Sequence, residues 1–463
     1  MTQDNFGSRP MSRRDLLRLG LAVGGGAAAA SLLAACGGLV GSPTVGPAGG
    51  AGASSTGAAG SGGKLVIGAF EDGALVPFKG TILPMFEQAT GISVDFLTEP
   101  YDSFFAKALE DGQSKAGQYD IYIMDDPWIP QYAATGILED LGKHGITPSS
   151  DFAPSFIDLG YWPPRTGPRV NGFQNATPSL VALPSIGDLQ TLTYRNDIFT
   201  SGPPATWDDL VSTAQAAMKS GKIKYGFVFR GVKGNPIMNS FFPVLLSFGA
   251  TFFDDKWNPV FNSAEGKQAA DFFVGTLKSL APPGVVEFDS DQEGAAILGG
   301  DAAAIIQYSG NAIKSDDPTQ SKVVGKLDFA TVPKQDLAIA QIGIFINGVS
   351  VSAPNMDNAI TFMKWFGGSD AQTALARAGD LPVLYSSFAD PQAVKDHRLL
   401  PAALAQLKSG AEARPRCPDW AKMEAIIGTE LNTALQAGSG GGAALDRAAV
   451  EVTAYLKQQG YYA

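Results

Sequence analysis

The chain has 463 residues, 45% of them apolar and 17% charged, and a formal net charge of −11 at pH 7. That acidity argues against nucleic acid as a partner and against broad adhesion to anionic lipid, since both depend on a basic surface. Two histidines and two cysteines are too few for a histidine-rich metal site or a disulfide framework.

Residues 12–18, SRRDLLR, place two adjacent arginines ahead of leucines and a further arginine, a twin-arginine pattern. The apolar, small-residue run over 19–32 is too short for a comfortable membrane span and fits a signal segment. It ends in Leu33, Ala34, Ala35 and Cys36, which resembles the bacterial lipobox, whose cysteine becomes the lipidated first residue of the mature chain. Residues 1–35 therefore read as a signal peptide. Cys36 reads as the lipidation site that anchors the protein outside the cytoplasmic membrane. Losing residues 1–35, with four arginines and two aspartates, takes the formal charge from −11 to −13. Residues 36–63 are dominated by Gly, Ala, Ser, Pro and Thr without charge, the composition of a flexible tether.

The remaining chain, roughly 400 residues, is too long for one ordinary core, and two domains are expected. A buried strand over 65–70 leads to a loop carrying Glu71 and Asp72. A helix over 81–89, a strand over 92–97, a helix over 101–115 and a strand over 119–124 follow. Strands alternating with helices at this spacing imply a parallel sheet with right-handed crossovers. The third strand delivers Asp125, Asp126 and Trp128 to its C-terminal edge, just before a short helix over 129–136. Open α/β sheets place ligand sites at that edge. After a Pro- and Gly-rich passage over 161–177 comes a strand over 189–194, then PPATWDDL. In that phrase Thr206 is the expected N-cap, and Asp208 and Asp209 occupy the first helical turn.

A strand ending in YDIYIMDDPWIPQYAATGILEDL, then GDLQTLTYRNDIF, then PPATWDDL, in this order behind a lipobox, resembles the family 1 extracellular solute-binding proteins, the maltose-binding-like receptors of ABC importers. The likeness spans essentially residues 64–463. It implies an α/β, two-lobed periplasmic-binding-protein fold, each lobe a mostly parallel sheet flanked by helices, with the ligand cleft between them. The expected organisation is a first lobe over 64–188, a second over 189–348, a return to the first over 349–385, and second-lobe and C-terminal helices over 386–463. A strand over 225–229, a helix over 235–250, a small-residue helix over 294–304 and the strand end at Tyr308 fit the family's second lobe. The β-rich run over 341–351 fits a crossing strand, the phrase 379–382 a loop before another crossing, and RPRCPDW over 414–420 a Pro-rich helix entry.

The resemblance also implies a ligand set. Glu71, Asp125, Asp126, Asp188 and Asn239 suit the hydroxyl rim of a sugar or polyol, as does Asp380 in the loop before a crossing. Arg416 would donate to that rim, and Trp128, Tyr308 and Trp420 suit an apolar ring face. Of the two adjacent aspartates, Asp126 is expected to touch ligand and Asp125 to cap the helix. The implied partners are a small-molecule ligand, ABC permease subunits, and the membrane through Cys36. The receptor is expected to act as a monomer, with no cofactor, catalytic residue or metal. The same role for a glycerophosphodiester, served by Arg169, Arg230 and Arg416, or for a polyamine, stays open. So does a lipid-anchored glycan hydrolase, although adjacent Asp125 and Asp126 do not alone supply carboxyls about 5–9 Å apart across a glycosidic bond. Residues 289–294 imitate the start of a calcium-binding EF-hand loop, but Gly300 stands where its bidentate glutamate belongs.

Overall fold

A computed structural model describes residues 63–461. The expected signal peptide, Cys36 and nearly all of the expected tether lie outside the described residues. Among these residues no helix is long and apolar enough to cross a membrane.

The first lobe is built on a five-stranded sheet. Its strands are β1 (Lys64–Phe70), β2 (Ser93–Glu99), β3 (Ile121–Asp125), β4 (Leu183–Ile186) and, far along the chain, a strand over Phe345–Val349. The spatial order is β2, β1, β3, Phe345–Val349, β4. β1 pairs in parallel with both β2 and β3, as the alternation of strands and helices requires. The helix α1 (Tyr101–Ser114) makes the crossover from β2 to β3. β3 is buried on both faces, so it reads as a continuous apolar run. The edge strand β2 alternates between half-buried and exposed positions. Gly68 on β1 lies against a ring: a Cβ there would sit 2.6 Å from the Tyr119 side chain, so only glycine fits.

The second lobe holds a three-stranded sheet of β5 (Thr191–Arg195), β6 (Ala304–Gln307) and β7 (Leu327–Ala330). Counting on, the late strand Phe345–Val349 of the first sheet is β8. In the second sheet β5 is central and antiparallel to both neighbours, a correction to the mostly parallel sheet expected there. The predicted strand over 225–229 is also absent. Tyr225 instead makes a single parallel bridge to Ala302, and Val228 donates to the Ala304 carbonyl at 3.2 Å, so the segment flanks the sheet without joining it. Around this lobe pack α2 (Trp207–Lys219), α3 (Asn235–Ser247), α4 (Ser290–Leu298), α5 (Trp420–Ala437) and α6 (Gly441–Gln458). At the start of α2, Thr206 and Asp209 form a reciprocal capping box, at 3.1 and 3.2 Å.

The expected lobe boundary at 348/349 moves earlier, because β8 pairs antiparallel with both β3 and β4. The later boundary at 385/386 moves the other way. The Tyr385 and Ser386 amides donate to Asp151, binding this turn to the first lobe, and the helix Leu399–Ser409 is the next element to pack on the second sheet.

Candidate functional site

Two extended segments pass between the lobes and, with a third that reaches from the second lobe onto the first and returns, form the floor of a cleft. The first, residues 187–190, joins β4 to β5. The second, residues 341–344, runs antiparallel to it into β8. Leu189 bridges Ile342, Gln190 donates to the Gln341 carbonyl at 3.0 Å, and Gly343 donates to the Asp188 carbonyl at 3.0 Å. The third follows Ala411–Glu412, which pairs in parallel with Ala340–Gln341, and it continues through Arg414 to α5. Above this floor lies a cavity of about 830 Å³ lined from both lobes.

The first-lobe wall comes from the C-terminal ends of β1 and β3, where side chains leave the sheet toward the cleft. Phe70, Glu71 and Asp72 follow β1, and Asp125 and Trp128 follow β3. Trp128 is only 5% exposed and packs edge-on against Tyr101 at 4.7 Å and Phe70 at 5.2 Å. Asp125 accepts from the Tyr101 hydroxyl at 2.7 Å. It also accepts a two-pronged contact from Arg414, at 2.7 and 3.2 Å. Asp126 bonds the same guanidinium and is fully buried. Burial pushes its carboxyl up to about 7, against the opposing pull of Arg414.

The second-lobe wall comes from α3, from the first turn of α4 and from the end of β6. Asn239 and Glu293 line the cavity at 4% and 2% exposed, and each has a buried, unpartnered side-chain oxygen, Oδ1 and Oε1 respectively. Gln307 does the same with its Oε1. Burial pushes the Glu293 carboxyl up to about 8, partly offset by Arg230 and reinforced by Asp289. Tyr308 donates to Gln341 Oε1 at 2.8 Å and lies against Gly343, whose missing side chain makes room for the ring: a Cβ there would stand 2.6 Å from it. Glu424 and Trp420 close this side from α5.

Of the residues singled out in the sequence, Glu71, Asp125, Trp128, Asp188, Asn239, Tyr308 and Trp420 line this one cavity. Asp188 also has structural work, accepting from the Ser309 backbone at 2.9 Å, and burial raises its carboxyl. The other three do not reach the lining. Asp126 sits beneath it, held on Arg414, so the expected assignment of the aspartate pair reverses. Asp125 is the one that faces the cleft, and its side chain makes no capping hydrogen bond. Asp380 is fully buried, because Leu381 next to it pairs with Gly187 of the first crossing. Arg416 donates to the carbonyls of Asp158, Leu159 and Tyr161, at 3.0–3.2 Å, which tie it to the backbone. Arg169 is likewise held by the carbonyls of Pro164, Gln174 and Ala176. Asp289 caps α4, which accounts for the calcium-loop mimic. Sequence reasoning missed Arg414, Tyr101, Gln307, Glu293 and Glu424. The only available signal was the pair of arginines in RPRCPDW, of which it chose the wrong one.

Two α/β lobes joined by crossing segments, with a cavity lined from both, define a two-lobed binding protein. The family described as bacterial extracellular solute-binding protein matches residues 68–373. The chain belongs to that family, whose members act outside the cytoplasm. A protein of Sinorhizobium fredii named as a probable amino-acid ABC transporter periplasmic-binding protein, y4oP, is 24% identical over 372 residues, covering 78% of this chain and 82% of its own. A mannitol-binding protein of Pseudomonas aeruginosa is 27% identical over 261 residues, 54% of this chain and 57% of its own. Among solved structures, an ABC transporter solute-binding protein from Agrobacterium radiobacter K84 in complex with ribitol superposes with a TM-score of 0.71. It is 24% identical, and the match covers 86% of this chain and 99% of that one.

Proposed function

We propose that this protein is the substrate-binding component of an ABC importer, that it captures a carbohydrate or polyol between its lobes, and that it passes the solute to a permease. The cleft carries this reading: about 830 Å³, walled by carboxyl and amide oxygens that suit hydroxyl groups and by aromatic faces that suit C–H surfaces. The mannitol- and ribitol-binding relatives support the same ligand class. Rotation about the crossing segments closes the lobes on the solute. The lipobox at Cys36 supports a lipid anchor outside the cytoplasmic membrane. The candidate ligand contacts are Glu71, Asp125, Trp128, Asp188, Asn239, Tyr308 and Trp420, and the chemistry is binding without turnover.

The name of the Sinorhizobium relative raises amino acids as a second reading, and the sequence raised phosphodiesters. Both ligands carry an anion that needs an uncommitted cation. The two arginines lining the cavity are bonded to aspartates, Arg414 to Asp125 and Asp126, and Arg230 to Asp289 at 2.8 Å. Calorimetry on the purified chain tests the choice, using hexitols, pentitols, mono- and disaccharides, amino acids, glycerophosphodiesters and polyamines. Saturable 1:1 binding of a sugar or polyol is expected. Binding confined to amino acids, phosphodiesters or polyamines overturns the ligand class.

A further inference from the structure

The cleft has an imbalance that a neutral solute does not require. Among the described residues, nine carboxyl side chains line the cavity against three basic ones. Those basic groups are engaged by the protein's own acids. Arg414 and Arg230 are bonded to aspartates, as above, and Lys314 offsets the charge of Asp72. The second-lobe wall meanwhile offers three buried oxygens with no partner, on Asn239, Gln307 and Glu293. Two are amide carbonyls and one is a carboxyl, so the wall presents hydrogen-bond acceptors and asks for donors. Glu293 is the decisive member. A carboxyl 2% exposed with an oxygen unbonded is costly unless something occupies the site.

We infer that the natural solute is a polyol or sugar bearing a protonated amino group, with the ammonium seated on Glu293 and its hydroxyls on the remaining oxygens of the cleft. An ammonium supplies three donors and one positive charge, matching the acceptor surplus and the acid surplus together. The inference rests on the cleft being the solute site, and it narrows the ligand within that reading.

A consequence for protons follows. The groups facing Glu293 are Arg230 and Asp289, which are bonded to each other, so Arg230 offsets the Glu293 charge only in part. Burial holds the empty-state carboxyl protonated at neutral pH, its pKa near 8. An arriving ammonium favours the carboxylate, so binding releases a proton, and affinity rises with pH from 6.5 to 8. A neutral polyol has no such linkage.

The matched pair D-glucitol and D-glucamine, alike except for one hydroxyl exchanged for an amine that stays protonated over this range, tests the inference by calorimetry. D-glucamine is expected to bind at least tenfold more tightly at pH 7.5. Its apparent enthalpy should differ between phosphate and Tris buffers in the sense of proton release, and the Glu293→Gln variant should lose more affinity for D-glucamine than for D-glucitol. The buffer comparison uses the unaltered protein and stands even where that variant folds poorly. Equal or tighter binding of D-glucitol overturns the inference and leaves the solute-receptor reading intact. Tighter binding of spermidine than of D-glucamine overturns it through the hydroxyl requirement. No binding of either polyol, together with none across the wider sugar panel, removes both.

Discussion

Adjacent aspartates divide labour at the end of β3. Asp125 faces the cleft and Asp126 is fully buried, yet both hold Arg414. Asp125→Asn keeps a hydrogen-bonding side chain on the guanidinium but removes a charge that lines the cleft. It is expected to weaken solute binding at least tenfold, about 1.4 kcal/mol, with a smaller fall in the urea midpoint than removal of the arginine, because Asp126 still holds the guanidinium. Arg414→Ala strands two carboxylates, one with no access to water, and breaking such a buried pair costs about 3–5 kcal/mol. Urea denaturation checks the contrast, and equal stability of the two variants contradicts it. Glu293 gives a pH test. Its folded pKa near 8 lies above the ordinary glutamate value of 4.5, so between those values the folded state binds more protons than the unfolded one. Stability attributable to this group is therefore present below about pH 4.5 and lost as pH rises through 8. Glu293→Gln is expected to be near neutral in stability at pH 5 and stabilising at pH 8.5, measured by denaturation at both values. Neither Arg414 nor Glu293 stood out in the sequence. Arg414 and Arg416 are two residues apart in an extended stretch, and only the packing of the third floor segment decides which of them meets the aspartates. Glu293 lies among exposed acids and reads there as one more solvated charge.

Local rules worked where the determinants are local. The N-cap at Thr206 was legible because Thr stands just before two aspartates and an apolar helix, and the structure forms it, with Asp209 completing a reciprocal capping box. Thr206→Ala is expected to cost about 1 kcal/mol, read as a shift in the denaturation midpoint with solute affinity unchanged. The buried strand β3 was legible from its β-branched and aromatic run. The direction of the second sheet was not: β5 pairs with β6 and β7 over a hundred residues away, and such pairing leaves no mark in a strand's own residues. The early start of β8 was hidden for the same reason, since the whole run over 341–351 is β-rich and only its partners show which part crosses. Gly343 belongs to this scale too. Gly343→Ala pushes a methyl group into the Tyr308 ring and strains its bond to Gln341. At least a tenfold loss of solute affinity is expected by calorimetry, from displacement of the ring rather than from any lost contact of residue 343.

For the whole molecule, closure is a change in the relation of two lobes joined by crossing segments. A solute that binds the folded chain alone, at a hundred times its dissociation constant, is expected to add about 2.7 kcal/mol of stability. Solution scattering should also show a smaller radius of gyration with solute than without. Stabilisation without contraction contradicts hinge closure while leaving binding in place. The two-lobed plan was legible because the order of the sequence phrases carries it. The floor was not, because it is assembled from three segments spread over more than two hundred residues of the chain.

That floor has a consequence for changing the protein's ligand. Asp188 lies on the first crossing, Gly343 with its seated Tyr308 on the second, and Arg414 on the segment beside them. The parts that would bend are also parts that line the cavity. Specificity and the resting balance between open and closed forms are therefore written in the same residues, and a redesign that edits the floor edits both at once. The walls, at Trp128, Asn239 and Glu293, are where selectivity can be retuned while the mechanical setting is left alone.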